Sequence, residues 1–318
     1  MMATASRVDA TLTGKLRELL GKSLVLDEPL SGYTSIGTGG PADVLCRVES
    51  GEALRSLLLL LAGAGLPKLV MGRGTNLLPS DSGFRGAVIL LEGDFSRTVF
   101  DGNAAEAGAA VSLSAFAGEA ARHGLGGLEF TAGIPGSLGG SLVGNAGTAG
   151  EALGDLVDRV DLMMDDGSMR GISRAEAAFG YRTSALGGTG AVVLGARFHL
   201  PSRSREEISR RISNFAAKRK EQPHDWRSAG CMFKNPAGHS AGQLIDQAGL
   251  KGVRAGAMEI SDRHANFMVN RGGGTTADAM ELAARVVKEV RGKFGVVLEP
   301  EVRIIDEAGC PVVPGVGA

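Results

Sequence analysis

Apolar positions in the first third of the chain alternate between helical and strand-like spacing. Residues 51–65, GEALRSLLLLLAGAG, have the apolar spacing of a helix, and KLVM (68–71) and GAVILL (86–91) are short apolar runs typical of buried strands. A loop dense in glycine, serine and aspartate (72–85) separates the two runs. We therefore predict a helix–strand–loop–strand unit in this part of the chain.

A second unit follows in residues 100–200. SLSAFAGEAARHG (112–124) has the spacing of an amphipathic helix that ends at a glycine. Beyond a glycine-rich segment, RVDLMM (159–164) and AVVLGARFHL (191–200) are predicted strands, and DDG between them is a turn signal. This order predicts a helix followed by strands.

The third region begins after a polar segment, PSRSREE (201–207), which we interpret as a linker. A helix follows, with apolar residues at i, i+4 and i+7: Ile208, Ile212 and Phe215. TTAD (275–278) is a capping-box pattern that predicts the start of another helix, and GVVLEPEVRII (295–305) reads as a final strand. The patterns separate three regions (22–91, 92–204 and 205–308) and predict an α+β fold, in which the third region is a separate α+β domain.

Composition excludes several classes of protein. The net charge of -1 gives no attraction to nucleic acid or to an anionic membrane surface. The leucine run 57–61 is too short to span a bilayer, and the first residues lack an apolar signal-peptide core, so we expect a cytoplasmic protein. Three cysteines without metal-like spacing support neither a disulfide framework nor a zinc site.

Two glycine-rich loops point to a ligand. MGRGTN (71–76) follows a predicted strand but lacks the features of a Walker A loop and of the dinucleotide fingerprint, so a simple turn also explains it. GIPGSLGGSLVGNAG (133–147) contains six glycines, a density that would weaken any helix or strand. Two such loops in neighbouring units predict a long dinucleotide held between them.

Three charged or reactive positions remain open from the residues alone. Cys231 in SAGCMFKNP is a redox thiol, a ligand, a nucleophile, an acid or core filling; with an unperturbed pKa near 8.5 it would ionise at alkaline pH. Arg182 in FGYRTS reads as a surface arginine. Glu301 lies on one face of the predicted final strand with other charged residues, which equally fits a solvated face.

A set of motifs in a fixed order gives a more specific indication. They are YTSIGTGGPAD (33–43), MGRGTNLLPSDSGFRGAVI (71–89), LEFTAGIPGSLGG (128–140), FGYRTS (179–184), SAGCMFKNP (228–236) and LEPEVR (298–303). Over residues 20–306 the chain closely resembles the UDP-N-acetylenolpyruvoylglucosamine reductase family of bacterial peptidoglycan synthesis. The resemblance implies a two-lobed FAD-binding fold of the vanillyl-alcohol-oxidase (PCMH) type, and a C-terminal domain that closes over the substrate.

The chain also departs from the family pattern. Arg73 stands where a glycine is frequent, and Arg227 where a proline is common. The link between FGYRTS and AVVLGARF is short, which places the chain in the class without the tyrosine-bearing insertion.

The resemblance implies a reaction and three catalytic residues. NADPH would reduce non-covalently bound FAD, which would pass hydride to C3 of UDP-N-acetylglucosamine enolpyruvate and yield UDP-N-acetylmuramate. Arg182 would stabilise charge on the substrate carboxylate, Glu301 would share a proton or hydrogen bond with the enolate, and Cys231 would protonate C2.

The resemblance also implies binding residues. The substrate would contact Tyr181, Arg182, Gly230, Asn235 and Glu301. The flavin would contact Gly72, Arg73, Gly74, Thr75, Asn76, Leu77, Gly133, Ile134, Pro135, Gly136, Ser137, Gly139, Gly140, Asn145, Ala146 and Gly147. No role is implied for His264. We expect a monomer.

Two other functions stay open from the sequence. One is a flavin-dependent oxidase of an alcohol or hydroxy acid on the same fold, and the other is a non-catalytic flavin-binding regulator. Neither would need Arg182, Cys231 and Glu301 together.

Overall fold

The structure is a computed structural model that describes residues 8–220, 222–223 and 225–315. Residues 8–91 contain α1 (Ala10–Leu20), α2 (Gly51–Gly63), β1 (Leu24–Pro29), β2 (Pro41–Val48), β3 (Lys68–Val70), β4 (Leu77–Pro79) and β5 (Phe84–Leu91). Four strands form a sheet in the order β1–β2–β5–β3, antiparallel only between β1 and β2. α2 begins where the Ser50 hydroxyl accepts from the Ala53 amide, and it buries Leu54, Leu57, Leu58 and Leu61 on one face, as the apolar spacing predicts.

The second unit is an antiparallel sheet with helices beside it. Its strands are β6 (Thr98–Asp101), β7 (Ala104–Gly108), β8 (Gly147–Thr148), β9 (Glu151–Ala152), β10 (Val157–Met163), β11 (Met169–Ser173) and β12 (Val192–His199), and its helices are α3 (Leu113–Arg122), α4 (Leu138–Val143) and α5 (Arg174–Ala177). The sheet has the order β11–β10–β12–β7–β6, and β8 pairs separately with β9. The predicted helix and both predicted strands are present.

The third region forms its own antiparallel sheet. It contains α6 (Arg205–Lys218), β13 (Arg227–Cys231), α7 (Ala241–Gln247), β14 (Arg254–Ala255), β15 (Met258–Ile260), β16 (Phe267–Asn270), α8 (Thr276–Phe294) and β17 (Arg303–Ile305). The sheet has the order β13–β16–β15–β14. α8 begins at the predicted capping box, in which Thr275 and Asp278 each bond the other's amide, and it ends at Gly295 with a φ of 71°.

The predicted strand 295–305 is wrong over most of its length, because only Arg303–Ile305 is a strand. Pro300 has no N–H to give to a ladder and forms an isolated bridge with Phe233 instead.

The first sheet packs against two apolar clusters, one of which also contains Met163 and Val192 of the second unit, and the second and third sheets have one main cluster each. None of the helices in the described ranges combines the length and the apolar character needed to cross a membrane.

Backbone pairing and a helix cap join the third region to the first unit. β4 pairs in parallel with β17. The Asp81 carboxylate accepts hydrogen bonds of 2.8 Å from the amides of Thr276 and Ala277, so it caps α8 from across the domain border. Leu78 is buried in the third region's core. These contacts run through elements of both units, so the two are anchored to each other by regular structure.

Arg227, at the position where the family pattern favours proline, contributes to the same border. Its guanidinium donates to the carbonyls of Ser31 and Thr34 at 3.2 and 2.9 Å. It lies so close to Gly37 that a Cβ there would come within 2.7 Å of the Arg227 Cζ. The arginine therefore fastens the start of β13 to the 31–37 loop.

α6 packs on the second unit, although the predicted division places it in the C-terminal domain. Phe215 belongs to the core of the second sheet. Arg211 pairs with Glu151 at 2.7 Å and with the buried Glu129 at 3.4 Å. The division into 22–91, 92–204 and 205–308 stays a prediction.

Candidate active site

Arg182 lies in a tight turn of the second unit. Gly180 and Thr183 exchange backbone hydrogen bonds of 3.0 and 3.3 Å, which leaves Tyr181 and Arg182 between them. Arg182 has a φ of 56°, in the left-handed region that costs a non-glycine residue about 1–3 kcal/mol. Strain of this kind persists only where the surrounding structure enforces it, and the conformation projects a long cationic side chain from the turn.

Asn145 supports this turn. Its side-chain nitrogen donates to the Gly180 carbonyl at 2.8 Å, and its side-chain oxygen accepts from the Gly154 amide at 2.9 Å. Because both ends of the buried amide are bonded within the protein, we assign the side chain to positioning the turn. Its predicted contact with the flavin stays a prediction.

Arg182 and Glu301 form an ion pair across the border between the second and third regions. The distance from Nε to Oε1 is 2.8 Å, and the two side chains are 24% and 17% exposed. Burial raises the pKa of Glu301, and the nearby Arg182 opposes this without cancelling it. A carboxyl with a raised pKa beside an arginine can take up a proton when a second carboxylate approaches.

Glu301 reaches the site because residues 299–301 pair with 232–234. The Glu301 amide donates to the Met232 carbonyl at 2.8 Å, and the Lys234 amide donates to the Glu299 carbonyl at 2.9 Å. Asn76 of the first glycine loop donates to the Glu301 carbonyl at 3.2 Å. The first glycine loop, the Cys231 strand and Glu301 are therefore held together.

Cys231 is half-buried at the end of β13, just after Gly230, which has a φ of 80°. Burial, and then the negative charge of Glu301, raise the pKa of Cys231 to about 12. The charges of Arg182 and Arg219, and a hydrogen bond with the Asn266 side chain, act in the opposite direction. The structure thus brings all three predicted catalytic residues into mutual electrostatic contact.

The expected ionisation of Cys231 at moderately alkaline pH is therefore wrong. An acid with a pKa of about 12 is only about 0.1% ionised at pH 9. The thiol stays protonated, as a general acid requires, and it is a weak nucleophile because the thiolate is the reactive form.

We expect alkylation to report this protonation state. At about pH 9, iodoacetamide should modify the exposed Cys310 first, while Cys231 and the buried Cys46 resist because their pKa values are both raised to about 12. Peptide mapping by mass spectrometry measures the order. All three cysteines should react in denaturant, and modification of native Cys231 as fast as Cys310 would contradict the raised pKa.

Two residues near Cys231, Arg219 and Asn266, belong to no local pattern that would predict a place in the site. Arg219, just after α6, lies near Cys231 and Arg182, and burial lowers its pKa. It is twelve positions before Cys231 in a polar stretch, so only the fold brings it to the thiol. Asn266 is one of the buried polar residues of the third region. It lies in the DRHANFMVN motif, in which the sequence analysis names His264 but not Asn266.

Two further predicted substrate residues, Tyr181 and Asn235, are hydrogen-bonded to each other. Tyr181 is exposed, and the Arg182 guanidinium lies 5.8 Å from its ring centre. The Tyr181 hydroxyl accepts from the Asn235 amide at 3.3 Å, which links the second region to the third. The Asn235 side-chain oxygen accepts from the Ala241 amide at the start of α7. Asn235 therefore has a structural duty as well as its predicted contact with substrate.

The two glycine loops lie against each other. The Thr75 hydroxyl donates to the Pro135 carbonyl at 3.2 Å. A Cβ on Gly72 would come within 2.0 Å of the Ser137 hydroxyl oxygen, so only glycine fits there. Gly74 has a φ of 60° and packs against the Tyr33 carbonyl. The predicted neighbourhood of the two loops is present.

The first loop has the donors that a dinucleotide phosphate needs. Among the described residues, no backbone amide from 72 to 76 donates a hydrogen bond within the chain. Gly72, Arg73 and Asn76 are exposed. Backbone amides, a guanidinium and a carboxamide beside a second glycine loop fit the pyrophosphate of FAD.

Other residues predicted to contact the flavin pack against neighbouring parts of the protein. Leu77 is buried in a core as the first residue of β4, and Gly139 packs against Ala109. Gly147 begins β8. Gly133 packs against the side chain of Arg219, so the second loop and Cys231 share a neighbour.

Two family models match separate parts of the chain, one in the region of the glycine loops and one in the region of Cys231 and Glu301. Residues 42–173 match the model of an FAD binding domain, and residues 222–305 match the C-terminal domain of UDP-N-acetylenolpyruvoylglucosamine reductase. The two matches confirm the expected combination of a flavin-binding region and a specialised C-terminal domain in an α+β fold.

Whole-chain relatives carry the same name. UDP-N-acetylenolpyruvoylglucosamine reductase 2 of Symbiobacterium thermophilum is 42% identical over 87% of this chain and 90% of its own length. The reductase of Caldanaerobacter subterraneus subsp. tengcongensis is 40% identical over 93% of this chain and 98% of its own. The crystal structure of UDP-N-acetylenolpyruvylglucosamine reductase from Thermus caldophilus superposes with a TM-score of 0.76, at 40% identity, over 88% of this chain and 97% of that one. The chain therefore belongs to the UDP-N-acetylenolpyruvoylglucosamine reductase family and is a flavin-binding oxidoreductase.

Proposed function

We propose that this protein reduces UDP-N-acetylglucosamine enolpyruvate to UDP-N-acetylmuramate in peptidoglycan synthesis, with NADPH as the reductant and FAD as the bound cofactor. The observation that carries the proposal is the Arg182–Glu301 ion pair beside a protonated thiol. An oxidase of alcohols would need none of these groups in this combination. We expect the reaction to take place in the cytoplasm.

FAD supplies the hydride chemistry when it is bound, because it can accept hydride from NADPH and give it to C3 of the enolpyruvyl group. Residues 72–76 would hold its pyrophosphate through their backbone amides, and residues 133–140 would lie along it from the second unit. The first loop contacts a catalytic residue through the hydrogen bond from Asn76 to the Glu301 carbonyl.

Arg182 binds the substrate carboxylate in this proposal. Its guanidinium is always charged and presents paired donors, which suit a carboxylate that gains negative charge from C2. The left-handed turn and the contact with Glu301 fix the side chain before substrate arrives, so little reorganisation is needed during the reaction.

Glu301 and Cys231 handle the protons. Burial already raises the pKa of Glu301, and a substrate carboxylate beside it would raise that pKa further, so Glu301 can take up a proton when substrate binds and share it with the enolate oxygen. Cys231 gives its proton to C2: the S–H bond breaks, its electron pair stays on sulfur, and the pair on C2 forms the new C–H bond.

Anaerobic half-reactions test the proposed function. NADPH should bleach the flavin absorbance of the purified protein, and UDP-N-acetylglucosamine enolpyruvate should restore it with formation of UDP-N-acetylmuramate. An enzyme that bleaches with an alcohol or hydroxy acid and recovers only with oxygen would instead be an oxidase. A flavin that NADPH cannot bleach would contradict the proposal altogether.

The flavin should be bound without a covalent bond. Neither 72–76 nor 133–147 contains a histidine or cysteine that could tether it. Acid precipitation should therefore release the colour into the supernatant, where absorbance measures it against total flavin. Colour that stays with the pellet after washing would show a covalent link.

A further inference from the structure

The 31–37 loop is in close backbone contact with the first glycine loop. The Ser35 amide donates to the Gly74 carbonyl at 3.0 Å. A Cβ on Gly74 would come within 2.1 Å of the Tyr33 carbonyl oxygen, so nothing separates the two segments. Residues 72–76 are the predicted site of the FAD pyrophosphate. A movement of the 31–37 loop would therefore displace the groups that are expected to hold the cofactor.

The same loop is also built into the third region. Ile36 is fully buried in that region's core, and its carbonyl accepts from the Asn270 side chain at 2.9 Å. The Ser35 hydroxyl donates to the Ser228 carbonyl at 2.6 Å. The loop therefore lies between the first glycine loop and β13, with hydrogen bonds to both.

Arg227, the first residue of β13, holds this loop in one shape. Its guanidinium donates to the carbonyls of Thr34 and Ser31 at 2.9 and 3.2 Å, and to that of Ser35 at 3.4 Å. A guanidinium presents its five N–H donors in a rigid plane, so the carbonyls around it have little freedom to move independently. The absence of a side chain on Gly37 leaves the space that the guanidinium occupies.

The position of β13 depends on contacts of this kind. Among the strands that the structure describes, β13 pairs with β16 alone, at the edge of its sheet. The register of that pair shifts between Ser228 and Cys231, so the ladder is interrupted just before the thiol. A strand that is held on one side by an interrupted ladder needs other contacts to fix it, and Arg227 supplies them at its first residue.

We propose that Arg227 is a positioning residue that couples FAD binding in the first glycine loop to the placement of β13 and of Cys231 at its end. Order imposed on residues 72–76 passes to the 31–37 loop, and Arg227 carries it to the strand. The inference rests on the proposed function for the place of FAD and the role of Cys231. The family pattern favours proline at this position, and proline has no side-chain donor for such a coupling.

The affinity for FAD provides the first test, because coupling between two sites is reciprocal. Purified flavin-bound protein is diluted in steps, and the flavin that passes an ultrafiltration membrane gives the dissociation constant. Arg227→Met keeps a long side chain without a donor and should raise this constant about 5- to 50-fold, a usual size for such a coupling. Arg227→Lys keeps the charge but not the planar set of donors, so its effect should be intermediate.

Arg263→Met is the matched control. Arg263 is another exposed arginine of the third region, and it pairs at the surface with Asp225 at 2.6 Å. No hydrogen bond joins it to the 31–37 loop among the described residues. Its loss should change the dissociation constant of FAD by less than about twofold, because exposed ion pairs contribute little.

Hydrogen exchange separates coupling from a general loss of stability. In the wild type, saturation with FAD should slow amide exchange in residues 227–231 about fivefold or more, since local opening of the strand becomes rarer. In Arg227→Met, saturating FAD should still protect residues 72–76 but slow exchange in 227–231 by less than about twofold. Mass spectrometry of peptic fragments measures both segments in one experiment.

The outcomes are independent of catalysis, because neither measurement contains substrate or NADPH. If Arg227→Met keeps the wild-type affinity for FAD, or if FAD still protects 227–231 in this variant as in the wild type, the inference is overturned. Ser35→Ala is the second variant should Arg227→Met not fold. It removes the hydroxyl that bonds Ser228 and keeps the amide that bonds Gly74, so both readouts should change in the same direction. A wild-type protein that binds no FAD would contradict the proposed function as well.

Discussion

Cys231→Ala should lose about 10²–10⁴-fold in the rate of flavin reoxidation by substrate, because a positioned general acid contributes a factor of that size. Cys231→Ser should retain activity, since a hydroxyl can deliver a proton from nearly the same position. NADPH should bleach both variants at the wild-type rate, as the thiol takes no part in that step. Stopped-flow absorbance under anaerobic conditions separates the two half-reactions.

The pH dependence adds an independent check on Cys231. With a pKa raised to about 12, the thiol is protonated throughout the usual assay range. Ionisation of Cys231 should therefore cause no fall in the turnover of the wild type below about pH 10. The wild type and Cys231→Ser should thus have the same alkaline profile. Cys310→Ala, which removes an exposed thiol, is the matched control. Near-normal turnover of Cys231→Ala would reduce Cys231 to core filling.

Arg182→Ala and Glu301→Gln should each slow reoxidation by substrate about 10²–10³-fold and leave reduction by NADPH largely unchanged. The alanine removes the preorganised cation that meets the growing negative charge, a loss of about 2.7–4 kcal/mol in comparable sites. The glutamine keeps the size of Glu301 but cannot share a proton, and it removes the charge that orients Arg182. Single-turnover rates measure both effects.

Two neighbouring residues provide controls for this pair. Glu299 lies two positions from Glu301 and pairs at the surface with Lys234, and Arg174 pairs at the surface with Asp155. Glu299→Gln and Arg174→Ala should change neither half-reaction by more than about twofold, because exposed ion pairs contribute little. Equal slowing of both half-reactions in Arg182→Ala or Glu301→Gln would mean that these residues are structural.

The sequence predicts the elements whose signals are local. The apolar stripe of α2 and the capping box of α8 each need only a few neighbouring residues, and both are present. β2 lacks such a signal: PADVLCRV is buried almost throughout, so its side chains do not alternate between buried and exposed, and the pattern predicts no strand there. The predicted final strand is too long because the alternation in LEPEVR suits a strand, whereas Pro300 and a tertiary pairing with residues 232–234 determine the path of the backbone.

The candidate site divides in a similar way. Arg182, Cys231 and Glu301 could be selected through ordered motifs, although the residues alone left each of them open. Arg219 and Asn266 could not be selected, because their nearness to Cys231 arises only when α6 and β16 pack beside it. The pKa of Cys231 was also beyond reach, since burial sets it and a sequence does not state burial.

The attachment of the third region to the first has a consequence for synthesis of the protein. Asp81 bonds to Thr276, which lies 195 residues later in the chain, and Asn76 bonds to Glu301, which lies 225 residues later. Contacts of such long sequence separation form slowly and only after the ends of a large loop have met. The first unit therefore leaves the ribosome with β4 unpaired and stays incomplete until residues 301–305 emerge. A chain that ends before residue 300 would therefore have a first glycine loop without its contact to Glu301 and a β4 without its partner strand.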